Sequence, residues 1–152
     1  MKFTKRTLVA APIAVGLALA VAAPATADGR GKFGATQELT DGGVTIAYTL
    51  EELEPSDDTI TNADVHGKLW EVSVDVAAVK GSVTPVIPFF NARAADGTNY
   101  RPLYWAVGPE SLSGATLEQG QKSHGNIYFD VTGPAPTRVV YNDGVTDRMC
   151  WH

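Results

Sequence analysis

"LWEVSVDVAAV", Leu69 to Val79, decides the fold. Taken two residues at a time, it puts Trp70, Val72, Val74 and Val76 on one side and Glu71, Ser73 and Asp75 on the other. That is the period of a strand with one face buried and one face in water. Working outward, "VTIAYTL" repeats the pattern, with Val44, Ile46, Tyr48 and Leu50 sharing a side. Further β-rich runs are "PVIPFFNARA", "NYRPLYWAV", "GNIYFDVTG", "TRVVYND" and "VTDRMCW". Turn chemistry separates the runs at Asp41-Gly42-Gly43, Lys80-Gly81, Asp96-Gly97, Gly133-Pro134 and Asn142-Asp143-Gly144. After Asp28 no window of a dozen residues keeps a 3.6-residue apolar period. About seven short strands with this punctuation predict an all-β fold, an antiparallel two-sheet β-sandwich of immunoglobulin-like type, with a small barrel as the alternative. The acidic run "EELEPSDDTITNADVHG" reads as a loop between two strands.

The first residues have another purpose. Lys2, Lys5 and Arg6 precede an apolar run from Leu8 to Ala23, and Ala25-Thr26-Ala27 is a small-x-small cleavage site. The run is shorter than the roughly 20 residues that span a bilayer. Residues 1–27 are therefore expected to be a cleaved secretory signal peptide, and 28–152 a single domain released to the extracellular medium or held at the cell surface. No membrane insertion is expected after cleavage. Removing the three basic residues leaves nine Lys and Arg against 17 Asp and Glu, a net charge of −8. Such an acidic chain repels nucleic acid and anionic lipid. Cys150 is the only cysteine, so no internal disulfide can form. A monomer is expected, with a Cys150-linked dimer as the alternative.

The second half of the chain also carries a resemblance. "GKLWEV", "KGSVTPV", "FNAR.ADG.NYR", "SGAT" and "IYFDVTGPAPT", in this order and spacing, resemble the small secreted immunogenic proteins of mycobacteria and related actinobacteria, of the MPT/MPB class. The likeness runs from about Gly67 to Trp151. It implies an immunoglobulin-like sandwich, secretion, and recognition by host immunity where the organism infects. It implies no catalytic residues, cofactor or substrate. Cys150 departs from the family pattern, so the resemblance does not imply a disulfide-linked dimer.

Several stretches formally match chemical motifs. "GRGKFG", Gly29 to Gly34, has the spacing of a dinucleotide-binding loop, but that mechanism needs a strand before it and a helix after it to offer backbone amides to a pyrophosphate. A flexible N-terminal segment is expected there instead. Ser123 beside His124 suggests a nucleophile and its base, yet adjacent residues on a strand point to opposite faces. Cys150 and His152 would share a strand face, with His66 or His124 to complete a zinc site, but no pair has a zinc-ligand spacing. Glu51, Glu52, Glu54, Asp57 and Asp58 lack the alternating pattern of a calcium loop. No catalytic residue, metal or cofactor is therefore assigned.

The remaining candidate is "FFNARAADGTNYRPLYW", Phe89 to Trp105. With Asp96-Gly97 as a tight two-residue turn, Arg93 opposes Tyr100 and Phe90 opposes Leu103. Alternation then sends Phe90, Leu103 and Trp105 to the core and Phe89, Asn91, Arg93, Tyr100 and Tyr104 to the other face. Those five are the candidate partner-binding residues, with Arg93 lying over Tyr100 as a cation–π pair. Pro102 cannot donate to a ladder, which marks an edge or bulged strand. The expected function is non-enzymatic binding of a protein or cell-surface partner. A carrier of an apolar ligand between the sheets and an extracellular hydrolase are the alternatives.

Overall fold

A computed structural model describes residues 29–152; the predicted signal peptide lies outside the described residues. Nine strands form two packed sheets: β1 (Arg30–Gly31), β2 (Thr36–Asp41), β3 (Val44–Pro55), β4 (Lys68–Lys80), β5 (Phe90–Ala94), β6 (Asn99–Tyr100), β7 (Lys122–Val131), β8 (Pro136–Asn142) and β9 (Asp147–Trp151). One sheet has the order β2-β3-β4-β7 and the other β1-β9-β8-β5-β6. The chain crosses between them after β1, after β4, after β6 and after β7. The result is the expected immunoglobulin-like β-sandwich, antiparallel throughout except where β1 runs parallel to β9.

Alternation builds the core as anticipated. Tyr48, Leu50, Val72 and Val74 are fully buried, and Ile46 and Val76 nearly so, whereas Trp70 is only half-buried at the end of its strand. The other sheet contributes Phe90, Val139, Tyr141, Met149 and Trp151. Tyr48 and Tyr141 sit edge-on to Phe90 at ring separations of 5.1 and 5.0 Å, the arrangement that the charge distribution of aromatic rings favours. The indole N–H of Trp151 donates to Ala35 O at 2.9 Å, so the largest core side chain also leaves no buried donor unpaired.

Residues 29–34 do not form a free N-terminal segment: Cys150 N–H donates to Gly29 O and His152 N–H to Gly31 O, which adds β1 to the edge of β9. A Cβ on Gly29 would lie 2.4 Å from Arg148 O, so the close approach requires glycine. The acidic run is not all loop either. β3 continues through Glu51, Glu52 and Glu54 to Pro55, after a bulge between Leu50 and Leu53 that keeps Leu53 against the core.

The outer edge of β7 is covered by the long connection that follows β6. Leu103 N–H donates to Tyr128 O, Leu112 N–H to Asn126 O, and Asn126 N–H to Glu110 O. Backbone donors and acceptors that would otherwise template another strand are thereby satisfied. Gly125 permits this approach, since a Cβ there would meet Leu112 N at 2.7 Å.

Candidate functional site

The five candidate residues do not share one face, because the hairpin register differs from the expected one by a residue. Arg93 pairs with Asn99 and Ala92 with Tyr100. The turn holds three residues, Ala95, Asp96 and Gly97: Ala94 N–H donates to Thr98 O, Gly97 N–H to Ala94 O, and Gly97 takes φ +92°. This is a turn closed by a left-handed glycine, the usual three-residue hairpin. One extra turn residue sends the side chains of the second strand to the opposite face. Tyr100 therefore enters the core at 6% exposure and its hydroxyl donates to Pro134 O at 2.7 Å, so the expected cation–π pair with Arg93 does not exist.

Phe89, Asn91 and Arg93 do lie together on the outer side of the five-stranded sheet. Phe89 is half-buried and edge-on to Tyr141 at 5.5 Å. Asn91 is buried, with its Nδ2 donating to Phe89 O and its Oδ1 accepting from Asn99 Nδ2. Arg93 donates from Nε to Asn99 Oδ1, and its two terminal nitrogens reach Asp147 at 2.6 and 3.0 Å. The Arg93 guanidinium holds the Asp147 carboxyl below its ordinary range against a smaller opposing effect of burial. Asn142 Nδ2 completes the network on Asp147 Oδ1. Two concavities adjoin at Arg93. One of about 490 Å³ includes Phe89, Asn91 and Arg101, and one of about 570 Å³ includes Arg30, Arg138 and Cys150.

Tyr104 lies elsewhere, on the connection over β7, and is 58% exposed. Trp105, expected in the core, is 50% exposed and meets Tyr104 edge-on at 4.7 Å. Beyond Pro102 the chain has left the strand, so alternation no longer applies. Val107, also exposed, exchanges backbone hydrogen bonds with Thr61. The aromatic pair thus stands on a loop pinned to β7 on one side and to the β3–β4 connection on the other.

The formal motifs dissolve in three dimensions. Ser123 and His124 lie on opposite faces of β7, and His124 Nδ1 is 2.9 Å from Asp75 Oδ1 on the solvent side of the sheet. His66 stands beside Asp130, which accepts backbone N–H bonds from His66 and Gly67. Burial raises the Asp130 pKa, but those donors and His66 together outweigh it and leave the carboxyl below its ordinary range. Asp58 accepts from the Tyr128 hydroxyl at 2.6 Å, and Glu71 accepts from Ser56 Oγ at 2.5 Å. Burial pushes Glu71 upward, and the Asp58 and Glu54 charges add to it. The Cys150 thiol is pushed up by burial, opposed by Arg138 and Arg30.

Large aromatic side chains fill the space between the two sheets, and the architecture is that of a two-sheet β-sandwich. Sequence comparison then gives the family. The domain of unknown function DUF1942 matches residues 29–151, and the chain belongs to that family. It is 47% identical over 123 residues to the immunogenic proteins MPT63 of Mycobacterium tuberculosis and MPB63 of Mycobacterium bovis, covering 80% of this chain and 77% of each relative. The crystal structure of MPT63, described as a secreted protein, superposes with a TM-score of 0.78 at 46% identity, over 81% of this chain and 95% of that one.

Proposed function

We propose that this chain is a secreted, non-enzymatic antigen-type β-sandwich that acts by binding a protein partner through Tyr104, Trp105 and Val107. The exposed aromatic pair on its pinned loop carries this reading. Tyrosine and tryptophan dominate binding hot spots, and a loop already ordered loses little entropy on association. Secretion is supported by the signal-peptide pattern of residues 1–27 and by the description of MPT63 as a secreted protein. The names of MPT63 and MPB63 as immunogenic proteins support recognition of this chain by host immunity as well.

A carrier needs an internal cavity, whereas the space between the sheets holds Trp151, Tyr48, Phe90 and Phe129 with almost no exposure. That favours the binding module. The test is affinity capture from extracellular and cell-surface fractions with residues 28–152, comparing wild type with a Tyr104→Ala, Trp105→Ala double variant of equal thermal stability. Loss of the captured protein in the variant is expected; equal recovery would remove the aromatic edge as the contact. N-terminal sequencing of the protein in the medium should begin at Asp28.

A further inference from the structure

The larger concavity on the five-stranded sheet contains a second kind of chemistry. The ladder fixes its composition: Arg93 stands directly opposite Arg138, Val140 opposite Cys150, and Cys150 opposite Arg30. Because Arg138 and Val140 are two apart on β8, all of these side chains share the outer face. Three of the chain's six arginines are thereby gathered in one hollow of about 570 Å³, in a protein that is acidic overall. Like charges placed directly across a ladder oppose folding. Only one lining side chain is a carboxylate, Asp147; both terminal nitrogens of Arg93 hold it, and it also lies in the field of Arg138. Among the described residues no hydrogen bond or ion pair holds Arg138. The fields of Arg138, Arg30 and Arg93 all reach the Cys150 thiol, an independent sign that the guanidiniums converge on one region.

We propose that this hollow binds a small polyvalent oxyanion, carrying carboxylate or phosphate groups, with Arg138 as its principal donor and Arg93 as a second donor pre-oriented by Asp147. A guanidinium offers a planar pair of N–H donors that fits either oxyanion. The volume lies in the range of small-molecule sites. This site lies apart from the Tyr104 and Trp105 edge, so a small anion and a protein partner can bind at once.

Residues 28–152 would be titrated with citrate in one arm and inorganic pyrophosphate in the other, at constant ionic strength set by sodium chloride, with amide chemical shifts followed by NMR. Saturable shifts are expected at residues 138–140 and 147–150, together with slower alkylation of Cys150 by neutral iodoacetamide. Arg138→Ala should weaken binding by about tenfold or more, as loss of a charged hydrogen-bond donor does. Arg138→Lys should retain part of the affinity, and Arg101→Ala, outside this hollow, should retain all of it. Saturation by only one anion would support the site and name its chemistry. Equal affinity in Arg138→Ala, or shifts no greater than those from chloride, would overturn the proposal. Thermal unfolding of each variant separates loss of binding from loss of fold.

Discussion

The outer faces of the two sheets handle their polar groups in opposite ways. On the four-stranded sheet, side chains satisfy one another: Thr36 with Thr49, Thr40 with Thr45, Ser73 with Asn126, and His124 with Asp75. Its three long strands run for 10 to 13 residues, so neighbours across the ladder are plentiful. The five-stranded sheet is built from strands of two to seven residues, and its outer face carries a network centred on Arg93 and Asp147 beside a hollow lined with arginine. A face that closes its own hydrogen bonds has little to offer a ligand. One on which, among the described residues, the Arg138 guanidinium has no hydrogen bond or ion pair does.

The largest expected effect tests whether the short-stranded sheet depends on the shared core. Trp151→Ala removes a fully buried indole and its bond to Ala35, and should cost about 3–5 kcal/mol in urea unfolding. Asp75→Ala on the other sheet removes only an exposed pair and should cost less than about 0.5 kcal/mol. Comparable losses for both would mean that the long-stranded face is not as self-sufficient as its hydrogen bonds suggest.

Next comes Arg93→Ala. Its bidentate pair with Asp147 is only partly buried, so a loss of about 1 kcal/mol is expected, at the upper end for such pairs. Asp147 has a depressed folded pKa, so its contribution is present above the ordinary value of 3.8 and is lost as pH falls through the folded value. Wild type and variant should therefore differ most near neutral pH and converge in strong acid. A gap that persists at low pH would assign the loss to packing of the arginine stem instead.

Much of this contrast is legible in the sequence, but unevenly. Val44, Ile46, Tyr48, Leu50, Val72, Val74 and Val76 announce their strands because a long strand with one buried face must alternate. Tyr100 and Trp105 mislead for a local reason. Asp96-Gly97 suits both a two-residue turn and a three-residue turn closed by a left-handed glycine, and the difference of one residue reverses the face. β1 is hidden for another reason: two residues pair through backbone atoms with a strand 120 positions away, and Arg30-Gly31 carries no β signature. The arginine hollow is equally silent, since Arg30, Arg93 and Arg138 meet only through the strand order.

Glu71→Gln gives the smallest effect and the sharpest contrast, because its sign is opposite to that of Arg93→Ala. Glu71 lies on the self-satisfied face, where burial raises its folded pKa; the Ser56 hydroxyl opposes this, while Asp58 and Glu54 reinforce it. A folded pKa above the unfolded one means that ionised Glu71 works against folding at neutral pH. That cost disappears as pH falls below the ordinary value of 4.5, where both states are protonated. Glutamine keeps an oxygen to accept from Ser56 Oγ and brings no charge. Thermal unfolding should show the variant slightly more stable than wild type at pH 7, with the two curves converging in acid. A variant less stable at pH 7 would show that the Glu71 charge is used by the fold. In that case the four-stranded face would depend on electrostatics as the arginine face does, and the difference between the two sheets would lie only in which charges point outward.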